Sequence, residues 1–210
     1  MKLKTLVTGL FSMILFTHAF ADGQPKHRAF DELNPPQPTQ TGDKIEVVEV
    51  FWYGCPHCYS LEPYLEKWLE SIPEDAEFRR VPGVLGKNWL PHARAYYTAE
   101  ILGILDNIHK PLFEAIHREN RNIMDEKRLR DFFAQQGVKK AEFDKVYRSQ
   151  EVTDKIKEAF TASVGYKLTG VPSIIINGKY RTSASMTGSN QKLIDVINQL
   201  VEHERQNASQ

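Results

Sequence analysis

The sequence predicts an α/β fold, a mixed sheet with a block of helices inserted between its early and late strands. Three observations carry that prediction. A dense β-branched and aromatic run, 45-IEVVEVFWY-53, is followed at once by helical periodicity. From 89 to 160 the apolar residues recur at helical spacing, as in Ala93/Tyr96/Tyr97/Ile101, Leu112/Ile116 and Leu129/Phe132/Phe133. Strand character then returns at 171-VPSIIINGKY-180, ahead of one last amphipathic helix.

Residues 1–21 have the grammar of an export signal. Two lysines are followed by an apolar stretch from Leu6 to Phe16 and by Ala19-Phe20-Ala21 as a small-x-small cleavage site. The apolar stretch is interrupted by Thr8, Gly9 and Ser12 and falls short of the roughly 20 residues a spanning helix needs, so cleavage after about Ala21 is expected. No cysteine lies at that point to carry lipid, and the expected destination is a soluble, oxidising compartment, in a bacterium the periplasm. With 27 Lys+Arg against 27 Asp+Glu and no long basic run, the chain shows no electrostatic reason to bind nucleic acid.

Residues 22–43 are polar and carry Pro25, Pro35, Pro36 and Pro38, which predicts an extended segment over the surface without a core of its own. Structure is expected from Lys44. The 45–53 run is too apolar for a half-exposed strand and reads as a central one, covered on both faces. Gly54 turns the chain, and Leu61, Tyr64, Leu65, Trp68 and Leu69 define a helix from Cys55 to Ser71, with Pro63 inside it as a source of a kink. A short strand is expected at 77–81, closing a first part, 44–88. The helical block 89–160 is punctuated by Pro111 and Gly137, and its aromatic stripes read as core packing. In the last part, 161–210, Asn177-Gly178 is a type I′ hairpin signal, and Leu193, Ile194, Ile197, Leu200 and Val201 stripe a helix from about Ser189 to His203.

The chemistry concentrates in 51-FWYGCPHCY-59, which holds both cysteines of the chain. As a structural staple, a Cys55–Cys58 bridge would close so short a loop that it would remove little entropy from the unfolded chain. As a zinc site, the pair supplies two of four ligands, and the histidines at 27, 92, 109, 117 and 203 are scattered singly; no metal is expected. As a reagent the spacing makes sense. A helix start offers free N–H groups and the positive end of the dipole, which lowers the pKa of the Cys55 thiol, while Cys58, one turn on, is more shielded. Cys55 is then the sulfur a substrate thiolate attacks and Cys58 the one released. Pro56 suits the first helical turn, and His57 can stand as a cation or donor beside the thiolate, so both favour the reduced, ionised state and make the pair an oxidant.

With Cys-Pro-His-Cys after a hydrophobic strand, Pro63 eight residues beyond the first cysteine, and Gly170-Val171-Pro172 ahead of a hairpin, the chain resembles the thioredoxin fold, and most of all the DsbA-type thiol:disulfide oxidoreductases. The resemblance implies a thioredoxin fold with an inserted all-helical subdomain, in which 44–88 and 161–210 are the two parts of the thioredoxin-like domain. It implies that Pro172 is cis beside the redox pair and that the Val171 backbone can bond an extended substrate. It also implies that Glu49 lies beneath the site; a carboxylate in a strand buried on both sides must be paired or protonated, which suits a role in handling the Cys58 proton, with Arg79 or Arg80 as its partner.

The expected activity is donation of the Cys55–Cys58 disulfide to newly exported proteins with free thiols. Reoxidation would come from a membrane partner, in this family DsbB with a quinone, and no cofactor beyond the disulfide is implied. Trp52, Tyr53 and Gly54 fall where such proteins vary, and 22–43 is too short for the dimerisation domain of the related isomerases, so a monomer is expected. Two other readings stay open: a reductase or isomerase kept reduced by a different membrane partner, and a chaperone-like binding module in which the bridge is only structural.

Overall fold

The strand that leads to the cysteine pair is the middle of the sheet. In the computed structural model, which describes residues 28–208, β2 (Ile45–Phe51) is buried at every position. It pairs in parallel with β3 (Ala76–Pro82) on one side and antiparallel with β4 (Ser173–Ile176) on the other. Two parallel neighbours need a long crossover between them, and α1 (Pro56–Leu69) supplies it. β4 turns into β5 (Tyr180–Thr182), which pairs antiparallel with β1 (Asp31–Glu32), giving the order β1-β5-β4-β2-β3.

The hairpin is made as its sequence predicts. Asn177 and Gly178 both have positive φ, 49° and 64°, and Lys179 N donates to Ile176 O at 2.9 Å, the geometry of a type I′ turn. The N-terminal segment differs from expectation. It contributes the edge strand β1, buries Leu33 in the main core, and bonds Gln37 N to Gly178 O at 2.8 Å. A two-residue strand among prolines has no periodicity to reveal it, and only the free edge of β5 gives it a partner. The export signal expected at residues 1–21 lies outside the described residues. Among the described residues no helix is long and apolar enough to cross a membrane.

Five helices fill the insertion: α2 (Leu90–Ile101), α3 (Leu105–His117), α4 (Glu126–Gln135), α5 (Lys140–Tyr147) and α6 (Gln150–Gly165). Asp125 and Ser149 cap α4 and α6, accepting from Arg128 N and Val152 N at 2.9 and 3.2 Å. Of the two expected breaks, Gly137 does lie just past the end of α4, with φ +90°. Pro111 instead sits inside α3, because the complete burial of Leu112 and Phe113 beside it outweighs the lost backbone bond. α1 likewise runs through Pro63. After β5 come a four-residue helix, α7 (Ala184–Thr187), and the long α8 (Asn190–Ala208).

Two cores sandwich the sheet. Ile45 and Val47 pack with Ile174, Ile176, Leu61 and Leu65 under α8. Val48 and Val50 join the larger cluster formed with the insertion, which includes Phe51, Tyr53, Phe113 and both cysteines. The cysteine pair thus stands where the insertion meets the sheet.

Candidate active site

Cys55 is the N-cap of α1, with extended backbone (φ −94°, ψ 116°), and Pro56 occupies the first turn. That geometry follows from the sequence: a proline without an N–H is tolerated where helical donors are unpaired anyway. Cys55 N donates to Trp52 O at 2.9 Å and Tyr59 N donates to Cys55 O at 3.1 Å, tying the cysteine to strand end and helix start alike. Cys55 keeps 8% of its surface and Cys58 none. Both are free thiols.

The two sulfurs ionise very differently. The Cys55 thiol is lowered from 9.0 to about 6: a hydrogen bond from the Cys58 thiol favours its anion most, burial opposes it, and the N–H groups of Cys58 and His57 and the charge of His57 add to the lowering. The Cys58 thiol is pushed well up, first by burial, then by its hydrogen bond with Cys55 and the charge of Glu49. His57 is exposed beside the motif.

The Val171–Pro172 peptide bond is cis. Its loop comes against the sulfur, with Cys55 Sγ 3.5 Å from Val171 O. A groove of about 370 Å³ opens beside it, lined among others by His57, Gly170, Val171, Pro172, Ser183 and Asn190. Of the residues predicted from sequence, His57, Val171 and Pro172 line this opening, and Cys55, with Pro56 and Cys58 following it at the start of α1, meets it through Val171 O.

Glu49 lies below, fully buried. Arg80, directly across the β2–β3 pairing, donates from Nε to its Oε2 at 3.1 Å, whereas Arg79 pairs with Glu46 at 2.8 Å, which decides between the two arginines. Burial, reinforced by the charge of Glu62 and offset in part by Arg80, raises the Glu49 carboxyl to about 8.

Sequence reasoning missed the residues around this pair. Arg80 Nη2 donates to Glu62 at 2.9 Å, and Glu62 accepts from His109 Nε2 at 3.2 Å. His109 Nδ1 accepts from the Tyr53 hydroxyl at 3.0 Å, and His117 Nε2 donates to Tyr53 O at 2.7 Å. Beside them Trp52 stacks on Trp89 (4.7 Å, 8°) and lies over Gly54, where an added Cβ would come within 2.4 Å of the indole. Gly54 is needed there for close approach. The histidines could not be assigned from the sequence: His109 and His117 share α3, but nothing local says which residue they face. Among the described residues no three His, Cys, Asp or Glu side chains gather as metal ligands.

Comparison with known proteins gives a consistent picture. A family model described as a DSBA-like thioredoxin domain matches residues 74–195, which includes the insertion and the Val171–Pro172 loop but begins after the cysteine pair. The chain is 37% identical over 187 residues to the thiol:disulfide interchange protein DsbA of Pseudomonas aeruginosa, 89% of either chain. It is 38% identical over 178 residues to the protein of that name from Pseudomonas syringae pv. tomato, covering 85% of this chain and 83% of the other. Among solved structures, that of Pseudomonas aeruginosa DsbA superposes with a TM-score of 0.83 at 36% identity, over 90% of this chain and 99% of that one.

Proposed function

The chain belongs to the family of DSBA-like thioredoxin domains and is a disulfide oxidoreductase; from that premise we propose that it works as an oxidant, donating its Cys55–Cys58 disulfide to newly exported proteins in the periplasm. The observation that carries this reading is the unequal placement of the two sulfurs: Cys55 caps the start of α1 with 8% of its surface exposed and its thiol lowered, and Cys58 is wholly buried with its thiol pushed up. Stabilising the thiolate stabilises the reduced form, and a pair whose reduced form is favoured gives its disulfide away.

In the oxidised protein a substrate thiolate attacks Cys55 Sγ, the only sulfur of the pair with exposed surface. The Cys55–Cys58 bond breaks as the mixed disulfide forms. Cys58 leaves as a thiolate and takes up a proton, for which Glu49, its carboxyl raised by burial, is the nearby donor. A second substrate thiolate then attacks the substrate sulfur and expels Cys55, a good leaving group because its thiolate is stable. The substrate is oxidised by two electrons and the enzyme reduced by two. Val171 offers backbone to an extended substrate beside the sulfur, and Pro56 and His57 tune the pair. The enzyme acts as a monomer, needs no cofactor beyond its disulfide, and is reoxidised by a membrane partner of the DsbB type, which passes the electrons to a quinone.

The test is to incubate the oxidised Cys58→Ser variant, activated as a mixed disulfide at Cys55, with a reduced unfolded protein, and to trap the wild type in cells by alkylation. A stable Cys55-linked substrate complex and a largely oxidised wild-type pool are expected. A largely reduced cellular pool would assign the protein to disulfide reduction or isomerisation instead.

A further inference from the structure

The four residues from Trp52 to Cys55 lie outside both β2 and α1, so neither a ladder nor a helix determines their conformation. The insertion reaches in to hold them. His109, Phe113 and His117 stand four residues apart on α3 and form one stripe, since 3.6 residues make a turn. Tyr53 lies along that stripe and is held at both ends. His117 Nε2 donates to its carbonyl at 2.7 Å, and its hydroxyl donates to His109 Nδ1 at 3.0 Å. The Phe113 ring packs between, 4.9 Å from the Tyr53 ring. The same His117 ring stacks on Tyr59 at 5.1 Å and 13°, so one side chain touches the chain on both sides of the cysteine motif. Glu62, on α1, orients His109 by accepting from its other nitrogen.

We propose that His117 and His109 are positioning residues for the redox reaction: by gripping Tyr53 they hold the Trp52–Cys55 turn so that Cys55 Sγ stays against the first turn of α1 and the Val171 carbonyl. The inference rests on the oxidant reading above and adds to it that the insertion sets the oxidising strength. The linkage is short. The Cys55 amide donates to Trp52 O, one residue from the carbonyl His117 holds. A turn free to shift by a fraction of an ångström moves the sulfur away from the N–H groups that stabilise its anion, because hydrogen bonds weaken steeply with angle and distance. Tyr53 is 1% exposed and cannot replace its partners with bulk water.

The experiment uses the full mature protein and three variants. His117→Leu keeps bulk but loses the donor, His117→Gln keeps an N–H donor without the ring, and Tyr53→Phe removes only the phenol bond. For each, thiolate absorbance is titrated against pH, the disulfide equilibrium with glutathione is measured, and the urea midpoint of the oxidised form is recorded. His117→Leu is expected to raise the Cys55 midpoint by about one pH unit and move the glutathione equilibrium about tenfold toward the protein disulfide, a potential lower by about 30 mV. His117→Gln is expected to recover most of that change, and Tyr53→Phe to give about a threefold shift.

A His117→Leu protein with wild-type midpoint and equilibrium, whatever its stability, overturns the grip and leaves the oxidant reading standing. Should His117→Leu fail to fold, a Tyr53→Phe protein with wild-type midpoint and equilibrium overturns it equally. An ordinary alkaline midpoint in the wild type would remove the oxidant reading and this inference with it.

Discussion

At the scale of single residues, the site is a set of groups whose protonation in the folded chain differs from that in water. For the reduced protein the sign at Cys55 is clear: its acidity is raised on folding, from 9.0 to about 6. That contributes stability which is fully present above pH 9 and is withdrawn as pH falls through 6. Relative to a Cys55→Ser variant, the reduced protein should therefore gain stability between pH 6 and 9; urea denaturation across that range measures it, and parallel curves would contradict the assignment. Glu49 has the opposite sign, its carboxyl raised from 4.5 to about 8, so it withdraws stability as pH rises between those values. Glu49→Gln, a mimic of the protonated acid, should flatten that decline while slowing protonation of Cys58 after attack, seen as slower oxidation of a reduced peptide in single turnover.

Elements are held by local devices that can be broken one at a time without touching the cysteines. The β4–β5 turn is one. Gly178 has φ +64°, and a Cβ there would come within 2.0 Å of Gln37 O. Gly178→Ala should cost at least ~1–2 kcal/mol from the left-handed backbone alone and detach the N-terminal segment from the sheet edge, read as earlier proteolysis near Gln37. Helix α4 is another. Its cap bond from Arg128 N to Asp125 makes Asp125→Ala worth about 1 kcal/mol of stability. Because this bond is exposed and local to the start of α4, the glutathione equilibrium of Asp125→Ala should stay at the wild-type value.

For the whole molecule, the decisive feature is the seam between insertion and sheet. Phe113 is fully buried there and meets Phe51, Tyr53, Tyr59, His109 and His117. Truncation to alanine leaves a large cavity, so Phe113→Ala should destabilise the protein by ~3–5 kcal/mol. Because the cavity opens beside Tyr53, the variant should also be a weaker oxidant than Asp125→Ala, whose defect lies away from the turn. Thermal unfolding and glutathione equilibration of the two variants side by side separate a general loss of stability from a loss of the seam.

What the sequence determined by itself is what short-range pattern can encode. The apolar run 45–53, the proline after Cys55, the Asn177-Gly178 turn and the helix-spaced apolar residues each depend on periods of two or 3.6 residues or on the backbone preferences of one or two residues. From these the central strand, the helix opening at the cysteines, the hairpin and the helical block could be read. Tertiary structure alone decided the rest. Tyr53 meets His109 and His117 across 56 and 64 residues. The choice of Arg80 over Arg79 depended on the register of β3 against β2, and the edge strand β1 on a free side of β5. Such contacts are determined by how packed elements cross, and isolated histidines, adjacent arginines or two strand residues among prolines have no local signature of where that crossing will put them.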